Sequence, residues 1–170
     1  MPPNSYVVRA AEEADFAAIA RIYAHYVLHG TATFELDPPD RETLLQRRAE
    51  IVAQGLPYLV AESQGEVVGY GYASAYRPRP AYRFTIEDSI YVDAEHTGQG
   101  CGRALLGPLI EICTRGPWRQ MVAVIGDSAN ARSVRLHEQF GFAHVGTLRA
   151  VGFKFEKWLD TVLMQKALRE

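Results

Sequence analysis

The stretch IYVDAEHTGQGCGRALL, residues 90–106, sets glycine at every second position, Gly98, Gly100 and Gly102. An apolar run, SIYV at 89–92, precedes them, and a helix-patterned run, RALLGPLIEICTR at 103–115, follows at once. The reading is a strand, a turn and a helix. Glycine has no side chain to hold a ligand off the backbone, and it accepts positive φ. The first turn of a helix carries unpaired N–H groups backed by the positive end of the helix dipole. Together these make a place for phosphate or pyrophosphate. A tight turn that needs glycine for its own sake would show the same pattern.

Upstream, YVVRAA (6–11) reads as a strand and AEEADFAAIARIYAHYVLHG (11–30) as a helix. Asp15 is its expected cap, Phe16, Ile19, Ile22, Tyr23 and Tyr26 recur at helical spacing, and Gly30 stops it. A loop broken by Pro38 and Pro39 leads to Asp40, which caps a second helix running to Gly55. PYLVAES and EVVGYGYASAY are strands joined by Gln64-Gly65, a hairpin signal. RPRPAYR interrupts before the strand FTIEDSIYV. Downstream, QMVAVIG (120–126) reads as a short apolar strand buried on both faces. ANARSVRLHEQFG reads as a helix ended by Gly141, and residues 142–168 hold the last strands. The order is β-α-α-β-β-β-α-β-α-β-β. Nothing rich enough in Gly, Ser or Pro divides the chain, so residues 1–170 read as one α/β domain with a mixed sheet.

Composition narrows the function classes. A chain of 170 residues can bury a real core, and 48% hydrophobic with 22% charged residues is ordinary for a soluble globular protein. A net charge of −2 offers nothing to nucleic acid or to an anionic membrane. The N-terminal MPPNSYVVRAAEEADF lacks an apolar h-region, so a signal peptide is not expected, and no run is long enough for a transmembrane helix. The two cysteines, Cys101 and Cys113, are too few for a disulfide framework or a zinc site. No metal is expected, and a reduced, cytoplasmic setting fits.

Two familiar glycine motifs do not match. A P-loop needs Gly-Lys-Ser/Thr, but Arg103 and Ala104 follow Gly102. A dinucleotide fingerprint needs G-x-G-x-x-G after an early strand, and the spacing here is G-x-G-x-G, late in the chain. The stretch instead resembles the acyl-CoA pyrophosphate loop of the GNAT N-acetyltransferases, (Q/R)-x-x-G-x-(G/A). Gly100 and Gly102 fill the small positions, and Thr97 stands where Gln or Arg is usual. NARSVRLHEQFGF, residues 130–142, is similar to that family's N-x-x-A-x-x-L-Y-x-x-x-G-F, with Ser133 in place of Ala and His137 in place of Tyr. TFELDPP, YASAYRPRPAYRFTIEDSIYV and VGFKFEKWLDTVLMQK resemble the phosphinothricin and methionine sulfoximine acetyltransferase branch, so the likeness spans nearly the whole chain.

The resemblance implies a mostly antiparallel mixed sheet flanked by helices, acetyl-CoA as co-substrate, a small amino-acid-like acceptor and a homodimer. It implies that Thr97, Gly98, Gln99, Gly100, Cys101, Gly102 and Arg103 hold the pyrophosphate. It also implies that the backbone of Ser89, Ile90, Tyr91 and Val92 pairs with the pantetheine arm as a peptide adds to a sheet edge. A distortion of that strand is expected to free an N–H for the thioester oxygen. Asn130, a plausible helix cap, and Ser133 are expected at the pantetheine as well.

Acetyl transfer from a thioester to an amine must deprotonate the amine, steady the carbonyl oxygen and release the thiolate. Glu87 is the candidate base. It sits mid-strand, and alternation puts it with Ser89 and Tyr91 on one face, and Asp88 with Ile86 and Ile90 on the other. Apolar surroundings would raise its pKa; a solvated acid on an open sheet face is the alternative. Asp88 reads as a surface or salt-bridging acid. His137 is the candidate acid for the thiolate, or a residue that orders the pantetheine end; an ordinary hydrogen-bonded or exposed helix histidine is the alternative. Guanidinium binds a substrate carboxylate bidentately; the resemblance implies Arg77 and Arg83 for that contact, Thr85 lining the pocket and Lys154 near the pocket or a dimer contact, and Phe34 could form an apolar wall. A solvated, proline-stiffened loop explains the arginines equally. His25, His29, His96 and His144 are left as structural or surface residues, and the tyrosines as core. Cys101 belongs beside the pyrophosphate, which argues against a covalent route. Rival readings are acetylation of a protein N-terminus or another amine, and a CoA-binding regulatory domain without catalysis.

Overall fold

A computed structural model describes residues 5–169; the first four residues of the N-terminal stretch lie outside them. The elements are β1 (Val7–Ala10), α1 (Phe16–His29), α2 (Arg41–Ala53), β2 (Tyr58–Ser63), β3 (Glu66–Ala75), β4 (Thr85–Val92), α3 (Cys101–Arg115), β5 (Gln120–Gly126), α4 (Ala131–Gln139), β6 (Ala143–Lys154) and β7 (Lys157–Ala167). Their order is the expected one.

Local rules account for most boundaries. The Asp40 carboxylate accepts from the Thr43 N–H at 2.8 Å and starts α2. Gln64 and Gly65, at φ 54° and 83°, turn β2 into β3 as a two-residue hairpin. The Asp15 cap is not formed. Its carboxylate instead accepts from the Glu12 N–H at 2.7 Å and from both terminal nitrogens of Arg9, because a 3₁₀ turn, Glu13–Asp15, already leads into α1. In α1, Phe16, Ile19, Ile22, Tyr23 and Val27 are buried, while Tyr26 is half-buried.

Among the described residues seven strands form one sheet in the order β1-β2-β3-β4-β5-β7-β6. Every neighbouring pair is antiparallel except β4 with β5. That parallel ladder is short: Thr85–Asp88 pair with Gln120–Ala123, and beyond this point the two strands part. The sheet thus opens in a V at its centre, with Asp88 and Ala123 at the apex.

The helices sit on opposite faces. Gly69 packs against Cys101 and Leu105, and Gly102 against Ile90 and Leu136, which sets α3 and α4 over the face of Ile86, Asp88 and Ile90. The other face carries Tyr58, Tyr70, Tyr72 and Tyr91 beneath α1 and α2, with Tyr23 and Tyr91 edge to face at 5.1 Å. Burial of β5 on both faces does not hold. Met121, Ala123 and Ile125 are buried, but Val124 is 38% exposed. Its register partners place Val122 and Val124 on the α1/α2 face, and those helices pack mainly on β2 to β4.

Candidate active site

The V follows from hydrogen-bond parity. Asp93 N–H donates to the Val68 carbonyl at 2.8 Å and Tyr76 N–H to the Thr85 carbonyl at 3.3 Å. In an antiparallel ladder, bonded pairs alternate, so Glu87, Ser89 and Tyr91 direct their backbone groups to β3. Ile86, Asp88, Ile90 and Val92 direct theirs to the β5 side. There Ile86 and Asp88 meet β5, while Ile90 and Val92 face the gap; the Val92 carbonyl takes the Tyr26 hydroxyl. The free groups thus belong to Ile90 and Val92, not to all of Ser89–Val92. The expected distortion of β4 is absent as well: its register with β3 runs unbroken from Gly69–Val92 to Ala75–Ile86. The parting of two strands, rather than a bulge, is what frees the amides.

The gap widens into a cavity of about 700 Å³, bounded by Ile90 and Val92 on one side, Val124 and Gly126 on the other, and the ends of α3 and α4. Gly98 and Gly100, at φ 76° and 94°, hold a left-handed turn that residues with a Cβ adopt at a cost. Ala104 N–H makes the first intrahelical bond, to the Gly100 carbonyl at 3.0 Å, so the amides of Cys101, Gly102 and Arg103 precede the ladder and point out of the helix end. Thr97 Oγ1 donates to the Ala94 carbonyl and Gln99 Nε2 to the Glu95 carbonyl, so these two side chains brace the turn rather than reach for a ligand. Asn130 Oδ1 accepts from the Ser133 N–H at 3.2 Å and caps α4. Arg103, Arg132 and Arg135 also line the cavity. Two helix N-termini and three guanidiniums converging on one cleft fit the phosphates of an acyl-CoA, and the free amides of Ile90 and Val92 fit its pantetheine. Burial pushes the Cys101 thiol up to about 12, so it is no nucleophile near neutrality.

At the apex two adjacent acids part company. Glu87 is half-buried on the α1/α2 face, and burial, reinforced by the charge of Asp88 and opposed by Arg77, raises its carboxyl to about 7. Asp88, expected as a surface or salt-bridging acid, is buried and makes the bridge: its Oδ2 lies 2.9 Å from His137 Nε2. Its Oδ1 is buried without a partner. His137 Nδ1 donates to the Ser133 carbonyl at 2.7 Å. Burial works against a charged ring, but the Asp88 hydrogen bond and charge, with the Ser133 carbonyl, outweigh it and raise the His137 pKa. Both ring nitrogens are therefore engaged inside the protein. The geometry suits a clasp between β4 and α4 better than a free proton donor.

The expected acceptor residues are not all brought together. Arg77 is exposed, stacked 5.1 Å from the Tyr76 ring and close enough to oppose the rise of Glu87. Arg83 lies over the Phe84 ring at 4.4 Å and donates to the Pro80 carbonyl. Thr85 is half-buried, two residues from Glu87 on the same face. Lys154 does not line the cavity. It is 3% exposed, and its ammonium donates to the carbonyls of Thr33 at 2.8 Å and Tyr26 at 3.3 Å, tying down the loop after α1. Phe34 lies in that loop with its ring where side chains on Gly126 and Gly152 would stand. His96, set aside in the sequence, lines the cavity with its Nδ1 buried and unpartnered. The tyrosines read as core gather near Glu87, and no spacing rule flags them because they come from four different elements.

The comparisons agree with this geometry. The model of the acetyltransferase (GNAT) domain matches residues 8–163. A phosphinothricin N-acetyltransferase of Alcaligenes faecalis is 53% identical over 95% of this chain and 82% of its own. An L-methionine sulfoximine/L-methionine sulfone acetyltransferase of Salmonella typhimurium is 40% identical over 96% of this chain and 95% of its own. The crystal structure of a phosphinothricin acetyltransferase from Sinorhizobium meliloti in complex with acetyl-CoA superposes with a TM-score of 0.92, at 45% identity, over 95% of this chain and 88% of that one.

Proposed function

The chain belongs to the GNAT acetyltransferases and is an acetyl-CoA-dependent N-acetyltransferase, and from that premise we propose that it acetylates the α-amine of a small amino-acid analogue such as phosphinothricin, methionine sulfoximine or methionine sulfone. The observation that carries this reading is Glu87: a carboxyl raised to about 7, beside the apex of a cleft shaped for an acyl-CoA. The names of the relatives support the acceptor class.

Acetyl-CoA supplies the acetyl group as a thioester. Glu87, directly or through a water, takes a proton from the acceptor ammonium. The freed nitrogen attacks the thioester carbon in a ternary complex, the C–N bond forms and the C–S bond breaks. The Ile90 N–H, first in the strand beyond the paired segment, donates to the carbonyl oxygen as charge develops. The nitrogen sheds a second proton as the amide forms, the leaving thiolate takes up one proton to become the thiol, and Glu87 returns the other to solvent, so one proton is released per turnover. Asp88 and His137 hold the cleft wall, and Arg77 attracts the acceptor carboxylate. We further propose that residues 1–170 act as one cytoplasmic acetyltransferase domain and that two copies pair through β6 and β7. Val151, Phe153, Phe155 and Trp158 there are 54%, 56%, 49% and 68% exposed, an apolar set that water disfavours. Sedimentation at micromolar concentration should give a dimer, and Trp158→Glu a monomer.

The test is thiol release from acetyl-CoA with phosphinothricin, methionine sulfoximine, methionine sulfone and short peptides as acceptors. Turnover on the amino-acid analogues supports the reading. Turnover on peptides alone overturns the acceptor class and leaves the family untouched.

A further inference from the structure

On the sheet face that carries Glu87, a second cavity of about 300 Å³ lies between α2 and the strands β2 and β3. Tyr58, Tyr70 and Tyr72 line it, with rings stacked at 4.8 to 6.4 Å between centroids. The tyrosine hydroxyls of this face are not equivalent. Tyr23 bonds Thr33 and Glu35 and Tyr26 bonds the Val92 carbonyl, while Tyr72 lies beside Ser89 and Tyr91 beside Thr33, close enough for each to favour the ionised phenol. Tyr58 and Tyr70 are 5% and 1% exposed as whole residues; among the described residues no group is hydrogen-bonded to either hydroxyl, and neither oxygen is sealed from the cavity that both side chains line. Two neighbouring hydroxyls that face one cavity and spend no donor on the protein are free to donate to a ligand atom placed there.

Register relates the cavity to the chemistry. Ser74, on its rim, is the cross-strand partner of Glu87, and Tyr72 is the partner of Ser89. Tyr58 lies on β2, about 10 Å or two strand spacings from β4. An α-amine held at Glu87 therefore leaves a side chain of a few bonds directed across β3 toward the two hydroxyls. At the mouth, Arg47 is bonded to Glu35 at 2.5 Å, so it is not an uncommitted cation calling for an anionic tail. Burial drives the Tyr70 phenol well above its ordinary range, so it meets the ligand as a neutral donor.

We infer that Tyr58 and Tyr70 read the tail of the acceptor: their hydroxyls donate to an oxygen at the end of its side chain. They thereby select sulfone, sulfoximine or phosphinate tails over aliphatic tails of the same length. The inference rests on the acceptor class proposed above and assigns it a second set of contacts, away from the arginines. A site built to donate hydrogen bonds discriminates strongly against an isostere that cannot accept them, because its own groups are then left unpaired.

The experiment compares kcat/KM for methionine sulfone and for norleucine in the wild type, Tyr58→Phe and Tyr70→Phe, each checked for an unchanged melting temperature. The wild type should prefer the sulfone, and each variant should lose about tenfold or more of that preference while its norleucine rate stays within about threefold. Loss of only ring packing would move both substrates together. An unchanged preference in both variants overturns this inference and leaves the acceptor reading standing. No turnover of either acceptor by the wild type overturns the acceptor reading and this inference with it.

Discussion

Glu87 and Asp88 are consecutive acids on one strand, and they live in opposite layers of the molecule. Glu87 faces α1 and α2 without a cation bonded to it, and burial lifts its carboxyl to about 7. Asp88 faces α3 and α4, is more deeply buried, and is matched by His137 at 2.9 Å. Burial alone therefore does not decide what an acid does. A partner bonded to the carboxylate makes a structural clasp, whereas a half-buried carboxylate with only a distant exposed arginine is left poised to exchange a proton.

The contrast breaks most visibly in Glu87→Gln. Loss of a positioned base should cost 100-fold or more in kcat, on the order of 10² to 10⁴ for such groups, with the KM for acetyl-CoA little changed. Steady-state thiol release measures both. On the other side, Asp88→Leu strips His137 of its partner. Breaking a buried pair costs about 3 to 5 kcal/mol, so the melting temperature should fall by about 6 to 20 °C. The His137 pKa is raised in the fold, so its share of stability is full below its ordinary value of 6.5 and fades as pH rises through the higher one. The melting difference between wild type and variant should accordingly shrink in alkaline buffer.

Glu87 gives a smaller and opposite stability signal. Its folded pKa lies above the ordinary 4.5, so the folded state holds the proton more tightly, and the benefit present below pH 4.5 is lost as pH rises through about 7. Glu87→Gln does not titrate. It should be about 1 to 2 kcal/mol more stable than wild type at pH 8, after allowance for the part of the carboxyl in water, and nearly equal to it at pH 4.5. Denaturant titration at the two pH values checks this. The finest test is the pH dependence of kcat/KM, which should rise through a pKa near 7 because the base must be ionised. Asp88→Asn should move that midpoint down and Arg77→Gln should move it up, each by a few tenths of a unit, since one neighbour raises the Glu87 pKa and the other lowers it.

Strand alternation made the opposite orientation of the two acids legible before any coordinates, and glycine spacing did the same for the loop into α3. Both depend on neighbours in the chain. The pairing of Asp88 with His137 was not legible, because it joins residues 49 apart and no local pattern encodes which helix lands on which strand. The partners of Lys154 were not legible for a similar reason. A lysine at the end of a strand ordinarily reaches water, and only the return of the loop after α1 supplies the Thr33 and Tyr26 carbonyls that hold it inside. The tyrosines were hidden differently. Each alone is ordinary core, and their meaning comes from three strand tyrosines opening onto one cavity that only the folded sheet creates.

The unbroken pairing of β3 with β4 makes the site a matter of parity. Thr85 through Val92 alternate without a pause, so which acid is the base and which the clasp is decided by whether a residue number is odd or even. A residue added to the loop at 77–83 could bulge into solvent and leave that parity intact, as the pairing of Tyr76 with Thr85 closes the ladder below it. The same residue added between Ile86 and Ser89 would exchange the layers on one side of the insertion. It would turn one acid toward the wrong helices although every amino acid of the site were still present.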